Sequence, residues 1–253
     1  TLVNSPAKSL DVHFMMTIAA QNTSRIKIGS GVVVHTIYHP MTIANVTASI
    51  NELSGGRAFI GLGVGNPASM GRPSARLQDM REAVTFIRKY MAGEEAEYNG
   101  VKMQSHWLKR PVPIYISALN TYMARLAGEL CDGVRIHPLV TRSYTQDVIL
   151  PEIEAGAREG GRRLSDIDVA GIPFMVTGKN EAEVEATKRA VKLHIAFYAS
   201  TRTYHAVLEF HGWGEVGLKL HRLSLEGKWP EMGDLISDEM LQEFAIVGTY
   251  DEL

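Results

Sequence analysis

A single cysteine, Cys131, is all the chain offers for thiol chemistry. That excludes an internal disulfide framework and fits a reducing cytoplasm. Cys131 stands in Leu130-Cys131-Asp132-Gly133 and reads as a small buried hydrophobe rather than a nucleophile. A large excess of either charge is missing too: 26 Lys and Arg against 28 Asp and Glu leave a net charge of −2. There is thus no electrostatic basis for a nucleic-acid partner. Nor is there a membrane span. The longest stretch without Asp, Glu, Lys or Arg includes Ile28 to Ile50, and it holds His35, His39, Pro40 and Asn45 with several Thr and Ser. No signal peptide, Walker loop or zinc-spaced Cys/His set is found, and no metal is expected.

What the chain does have is glycine placed where strands are read. In Arg57-Ala58-Phe59-Ile60-Gly61-Leu62-Gly63-Val64-Gly65 the apolar residues predict a short buried strand, bounded by Ser54-Gly55-Gly56 and Asn66-Pro67. Glycines 61, 63 and 65 weaken a strand and need a reason. Two readings stand: close approach of a ligand to the backbone, or tight packing of the next helix. The triplet lacks the spacing of a dinucleotide fingerprint.

At 253 residues and 45% hydrophobic, the chain can build one large domain, 1–253, around a single core. Strands are predicted near 26–34, 57–65, 113–118, 133–137, 167–176 and 244–248, alternating with helices. Pro40 begins one helix, Pro151 kinks or restarts another, and Asn180 caps a third with Glu183 three residues on. Tyr98-Asn99-Gly100 reads as a turn. Residues 201–234 read as an irregular insertion rich in His, Trp and Tyr. Strand–helix alternation with apolar strands predicts a parallel α/β protein, either an open doubly wound sheet or a barrel with two strands outside this sequence.

In such folds ligands lie at the carboxyl ends of the strands. Ser117 to Thr121 passes from strand to helix through a short polar turn. Its free amides and helix dipole suit a phosphate, and a plain N-cap by Asn120 or Thr121 is the competing reading. His35 and His137 sit at strand ends and are the catalytic candidates.

Several motifs in order resemble the bacterial luciferase-like superfamily. They are Thr23 to Val32, His39-Pro40, Glu52 to Arg57 with Gly61-Leu62-Gly63, Arg81-Glu82-Ala83, Pro113 to Ile116, Leu126 to Glu129 with Asp132-Gly133, and Phe244 to Thr249. Ile195 to Tyr198 and His211-Gly212-Trp213 are similar to its deazaflavin (coenzyme F420)-dependent branch. The resemblance implies a (β/α)8 TIM barrel that, in this sequence, lacks the first two strands and the end of the last helix. It also implies an oxidoreductase moving a hydride between F420 and a small organic substrate, in a cytoplasmic homodimer or higher oligomer. The alternative it carries is an FMN-dependent monooxygenase using reduced flavin and O2. By resemblance, Gly31-Val32 falls where relatives have a non-prolyl cis peptide behind the deazaflavin ring. Gly65-Asn66 matches the turn beside that ring, and Ala118-Leu119-Asn120-Thr121 matches the phosphate turn.

Overall fold

The computed structural model describes residues 10–65, 75–108 and 110–253, so Asn66 lies outside the described residues. The described chain falls into two compact units. One comprises residues up to Arg135 together with Pro151–Ala170, and the other Ile136–Leu150 with Gly171–Leu253.

The first unit opens with α1 (Val12–Asn22), capped by Asp11, whose carboxylate accepts from the His13 and Phe14 amides. Where one strand is predicted over 26–34, two short ones form: β1 (Ile28–Gly29) and β2 (Val33–Val34). The interruption has a definite chemistry. Ser30, 2% exposed, takes the Gly61 amide on its hydroxyl oxygen at 3.0 Å and donates to the Gly61 carbonyl at 2.9 Å. A side chain thus replaces backbone in the ladder, and one peptide further on Gly31–Val32 is cis.

Next come α2 (Pro40–Leu53), the fully buried β3 (Ala58–Gly63) and α3 (Leu77–Met91). The Tyr98-Asn99-Gly100 turn joins two strands not predicted from sequence, β4 (Ala96–Tyr98) and β5 (Val101–Met103), as an antiparallel hairpin. Asn99 and Gly100 take φ of 51° and 77°, the positive values that a tight hairpin turn requires. Then follow β6 (Ile114–Ala118), α4 (Thr121–Leu130) and β7 (Gly133–Ile136). Helix α5 (Arg142–Tyr144) and the π-helical turn at Thr145–Ile149 belong to the second unit, and the chain runs on from them into α6 (Leu150–Glu159), which from Pro151 belongs to the first. The widened turn stands just before Pro151, whose ring has no N–H and crowds the carbonyl four residues back.

Five strands form the sheet path β1-β3-β6-β7-β8, where β8 is Asp168–Gly171, and β2 also pairs with β3. The β1–β3, β2–β3 and β3–β6 pairings are parallel. The strand predicted over 167–176 ends at Gly171 because Ile172-Pro173 follows, and proline cannot donate to a ladder.

The glycine question raised by β3 is answered by its neighbour. A Cβ on Gly61 would lie 1.8 Å from the Ser30 carbonyl oxygen, and one on Gly63 would lie 2.3 Å from a Val32 methyl. Neither reading, ligand or helix, accounts for these two positions; the kinked segment between β1 and β2 does. Gly65 has φ of 66° and needs glycine for its conformation.

In the second unit β9 (Phe174–Gly178) pairs in parallel with β10 (Ala245–Thr249). Helix α7 (Glu181–Ala199) is capped by Asn180, whose side chain accepts from the Glu183 amide. Residues 201–234, predicted irregular, are helical: α8 (His205–Phe210), α9 (Gly214–Leu225) and α10 (Trp229–Met232) with short 3-10 turns at either end. Gly212 and Gly227, at φ of 78° and 71°, end α8 and α9. After each, the following amide reaches back to the last turn, Trp213 to Leu208 at 2.8 Å and Lys228 to Leu223 at 3.0 Å. Helix α11 (Asp238–Phe244) precedes β10. Among the described residues no helix is long and apolar enough to cross a membrane.

Candidate functional site

Parallel register brings three strand ends of the first unit side by side. Val34 pairs with Gly63, and Leu62 pairs with both Val33 and Ile116, so the chain leaves β2, β3 and β6 in one direction. Those exits are His35, Val64-Gly65 and Leu119-Asn120. Gly31 and Val32 lie in the kink just before β2 and are half-buried.

The β6 exit is a helix start. Asn120 takes extended φ and ψ and its Oδ1 accepts from the Met123 amide at 3.0 Å. Asn120 is therefore the N-cap, and Thr121 begins α4. The cap uses one amide; the other first-turn amides have no intrahelical carbonyl to bond and carry the positive end of the helix dipole. Ala118 is fully buried, whereas Asn120 is exposed.

His35 is 2% exposed, and neither ring nitrogen has a hydrogen-bond partner among the described residues. Burial pulls its pKa down, partly opposed by the negative charge of Asp79. A neutral imidazole here holds one donor and one acceptor unused at the end of β2. His39, four residues on, caps α2 by accepting from the Met41 amide on Nδ1 at 3.1 Å.

His137, in the second unit, is held differently. Its Nδ1 accepts from the Leu139 amide at 3.1 Å, and its Nε2 lies 3.1 Å from the Tyr204 hydroxyl. The rings of Tyr198 and Tyr204 pack on it at 4.6 and 4.8 Å. Burial, reinforced by the positive potential of His194, lowers its pKa to about 4, while burial raises that of the Tyr204 hydroxyl.

Sequence reasoning missed Arg135 in the first unit. Its guanidinium carbon stands 4.2 Å from the Tyr115 ring centroid and 5.2 Å from that of Phe59, with Asp168 at 3.7 Å. Tyr115 also donates to Asp168 at 2.9 Å. The signal was available: Arg135 is the one charged residue in an otherwise apolar strand. Phe59, Tyr115 and Asp168 lie toward the amino ends of their strands, opposite the carboxyl ends at which parallel α/β sheets bind ligands.

A profile of the luciferase-like monooxygenase family matches residues 3–253. An uncharacterized protein of Mycobacterium tuberculosis is 36% identical over 267 residues, spanning 97% of this chain and 78% of that protein. The 5,10-methylenetetrahydromethanopterin reductase of Archaeoglobus fulgidus is 31% identical over 269 residues, spanning 100% of this chain and 79% of its own. Among solved structures, the coenzyme F420-dependent tetrahydromethanopterin reductase of Methanopyrus kandleri superposes with a TM-score of 0.80 at 27% identity, over 98% of this chain and 78% of that one. An F420-dependent secondary alcohol dehydrogenase, at TM-score 0.72 and 20% identity, shares the fold, over 96% of this chain and 72% of that one. The parallel α/β architecture expected from the sequence is the architecture of these relatives. The chain belongs to the luciferase-like monooxygenase family, and it is an oxidoreductase.

Proposed function

We propose that the protein is an F420-dependent oxidoreductase that moves a hydride between the deazaflavin and a small organic substrate, on a (β/α)8 barrel frame. The observation that carries this reading is the likeness, over nearly the whole chain, to reductases whose names specify F420 or a pterin substrate. The residues at the strand exits fit such a cofactor. The first turn of α4 offers amides to a phosphate, with Ala118, Leu119, Asn120 and Thr121 shaping the turn. In this reading a flat ring would lie against backbone at the Gly31-Val32 kink and Gly65, with Asn66 following directly in the chain. His35 holds an unused donor and acceptor in the same unit. When bound, the deazaflavin supplies the hydride chemistry, and the chain's part is to bind, orient and exclude water.

A second reading, an FMN-dependent monooxygenase, is favoured by the description of the family whose profile matches. Fluorescence titration of the protein with F420 and with FMN separates the two. Micromolar or tighter binding of F420 alone supports the first, and preference for FMN overturns it.

A homodimer or higher homo-oligomer belongs to the same proposal. Leu10, Phe14 and Ile18, spaced four residues apart along and just before α1, are 64%, 58% and 40% exposed. Helix α1 carries no Asp, Glu, Lys or Arg, so the capping Asp11 is the one charge that a second copy meets between Leu10 and Ile18. Sedimentation equilibrium tests it, and a monomer at all concentrations overturns it.

A further inference from the structure

We propose that Tyr204 is a hydrogen-bond donor for an uncharged carbonyl oxygen on an aromatic ligand, with His137 as the residue that fixes the direction of its proton. This rests on the oxidoreductase reading only in taking the ligand to be a substrate.

The direction follows from the order of the bonds. A backbone amide can only donate, so the Leu139 N–H fixes the His137 Nδ1 as an acceptor without a proton. The neutral ring then carries its proton on Nε2, which donates to the Tyr204 oxygen 3.1 Å away. Tyr204 therefore cannot donate back. Its own proton has to go elsewhere, and among the described residues no second partner for that hydroxyl is found. An O–H held in this way is a committed donor awaiting an acceptor.

The surroundings define the acceptor. The pair is flanked by aromatic rings of its own unit: Tyr198 lies 5.8 Å from Tyr204 and stacks on His194 at 5.0 Å, and Phe174 lies 5.5 Å from His194. A flat, apolar body laid against the exposed side of this cluster would be matched by its rings. Beside these rings a carboxylate gives up strong hydration for hydrogen bonds alone, whereas a ketone or similar carbonyl has far less hydration to lose.

The probes are acetophenone and benzoate, titrated into the full chain by NMR with 15N-histidine and 13Cζ-tyrosine labels. Acetophenone is expected to bind with a shift at the Tyr204 carbon, and benzoate at least about tenfold more weakly. The His137 nitrogens of the free protein are expected to show Nε2 protonated and Nδ1 bare. Tyr204→Phe should weaken acetophenone about five- to tenfold while leaving the F420 titration unchanged. His137→Phe should weaken it by a similar factor, and His137→Gln, whose amide can donate to Tyr204, should recover part of the loss. No binding of acetophenone, equal or tighter binding of benzoate, or a Tyr204→Phe variant indistinguishable from wild type would each overturn the proposal. Loss of F420 binding in the wild-type protein would instead overturn the cofactor reading and leave the Tyr204 result standing.

Discussion

Arg57 reaches from the start of β3 to Thr23 at the end of α1, donating to its hydroxyl at 3.0 Å and its carbonyl at 2.8 Å. The same guanidinium also donates to the carbonyls of Ala20, Ile26 and Ser54. The open carbonyls at the carboxyl end of α1 are thereby satisfied by a cation that complements the helix dipole. Arg57→Ala would leave those carbonyls without their donor, and a loss of about 2–4 kcal/mol is expected. Arg57→Lys should recover only part, because an ammonium cannot reproduce the planar fork. Urea unfolding of the two variants checks this; an Arg57→Lys variant as stable as wild type would refute it.

Gly61 and Gly55 differ in why they are glycine, and the difference is measurable. A Cβ at Gly61 meets a backbone carbonyl at 1.8 Å, which cannot swing away as a side chain can. Gly55 has φ of 71° and nothing within 4 Å of an added Cβ. Gly55→Ala should therefore cost only the left-handed penalty, about 1–2 kcal/mol. Gly61→Ala should cost well beyond that, with loss of the folded state as one form of the expected result. Thermal unfolding of both decides, and comparable melting temperatures would sink the account.

The sequence made the repeating strand–helix order legible because β3, β6 and β7 are apolar runs bounded by turn signals. It could not show that Ser30 would stand in for backbone and divide a strand, since that depends on Gly61, thirty-one residues away. The helices of 201–234 were hidden for another reason. They are short, they carry His, Trp and Tyr on their faces, and their glycine stops at 212 and 227 read equally well as loop residues. Of the candidate site, the strand exits were legible from position alone. The pairing of His137 with Tyr204 was not, because 67 residues separate them and only the fold of the second unit joins them.

His137 makes stability depend on pH with a definite sign. Its pKa falls from an ordinary 6.5 to about 4 in the folded protein. Between those values the unfolded chain binds a proton that the folded chain refuses, so stability rises with pH across that window. The contribution is full above pH 6.5 and is lost as pH falls toward 4, with an upper bound of about 3 kcal/mol. His13, His35, His205 and His211 are shifted the same way by burial, so removing His137 removes a share of the slope. Unfolding free energies of His137→Asn and wild type between pH 4.5 and 7.5 check this. An unchanged slope would mean that His137 titrates normally.

Asn120 separates the capping and phosphate roles of the β6 exit. Asn120→Ala removes the acceptor for the Met123 amide, and about 1 kcal/mol of stability should go with it. Asn120→Asp keeps the cap, since aspartate caps as well as asparagine, and its charge favours the helix dipole. Stability should therefore hold. If a cofactor phosphate sits on the first turn of α4, however, that new carboxylate repels it, and F420 affinity should fall about tenfold at low salt and less at high salt. A deazaflavin lacking the phosphate should bind the aspartate variant and wild type alike. Equal loss for both ligands would place the effect in the ring pocket, and no loss for either would move the phosphate away from this helix.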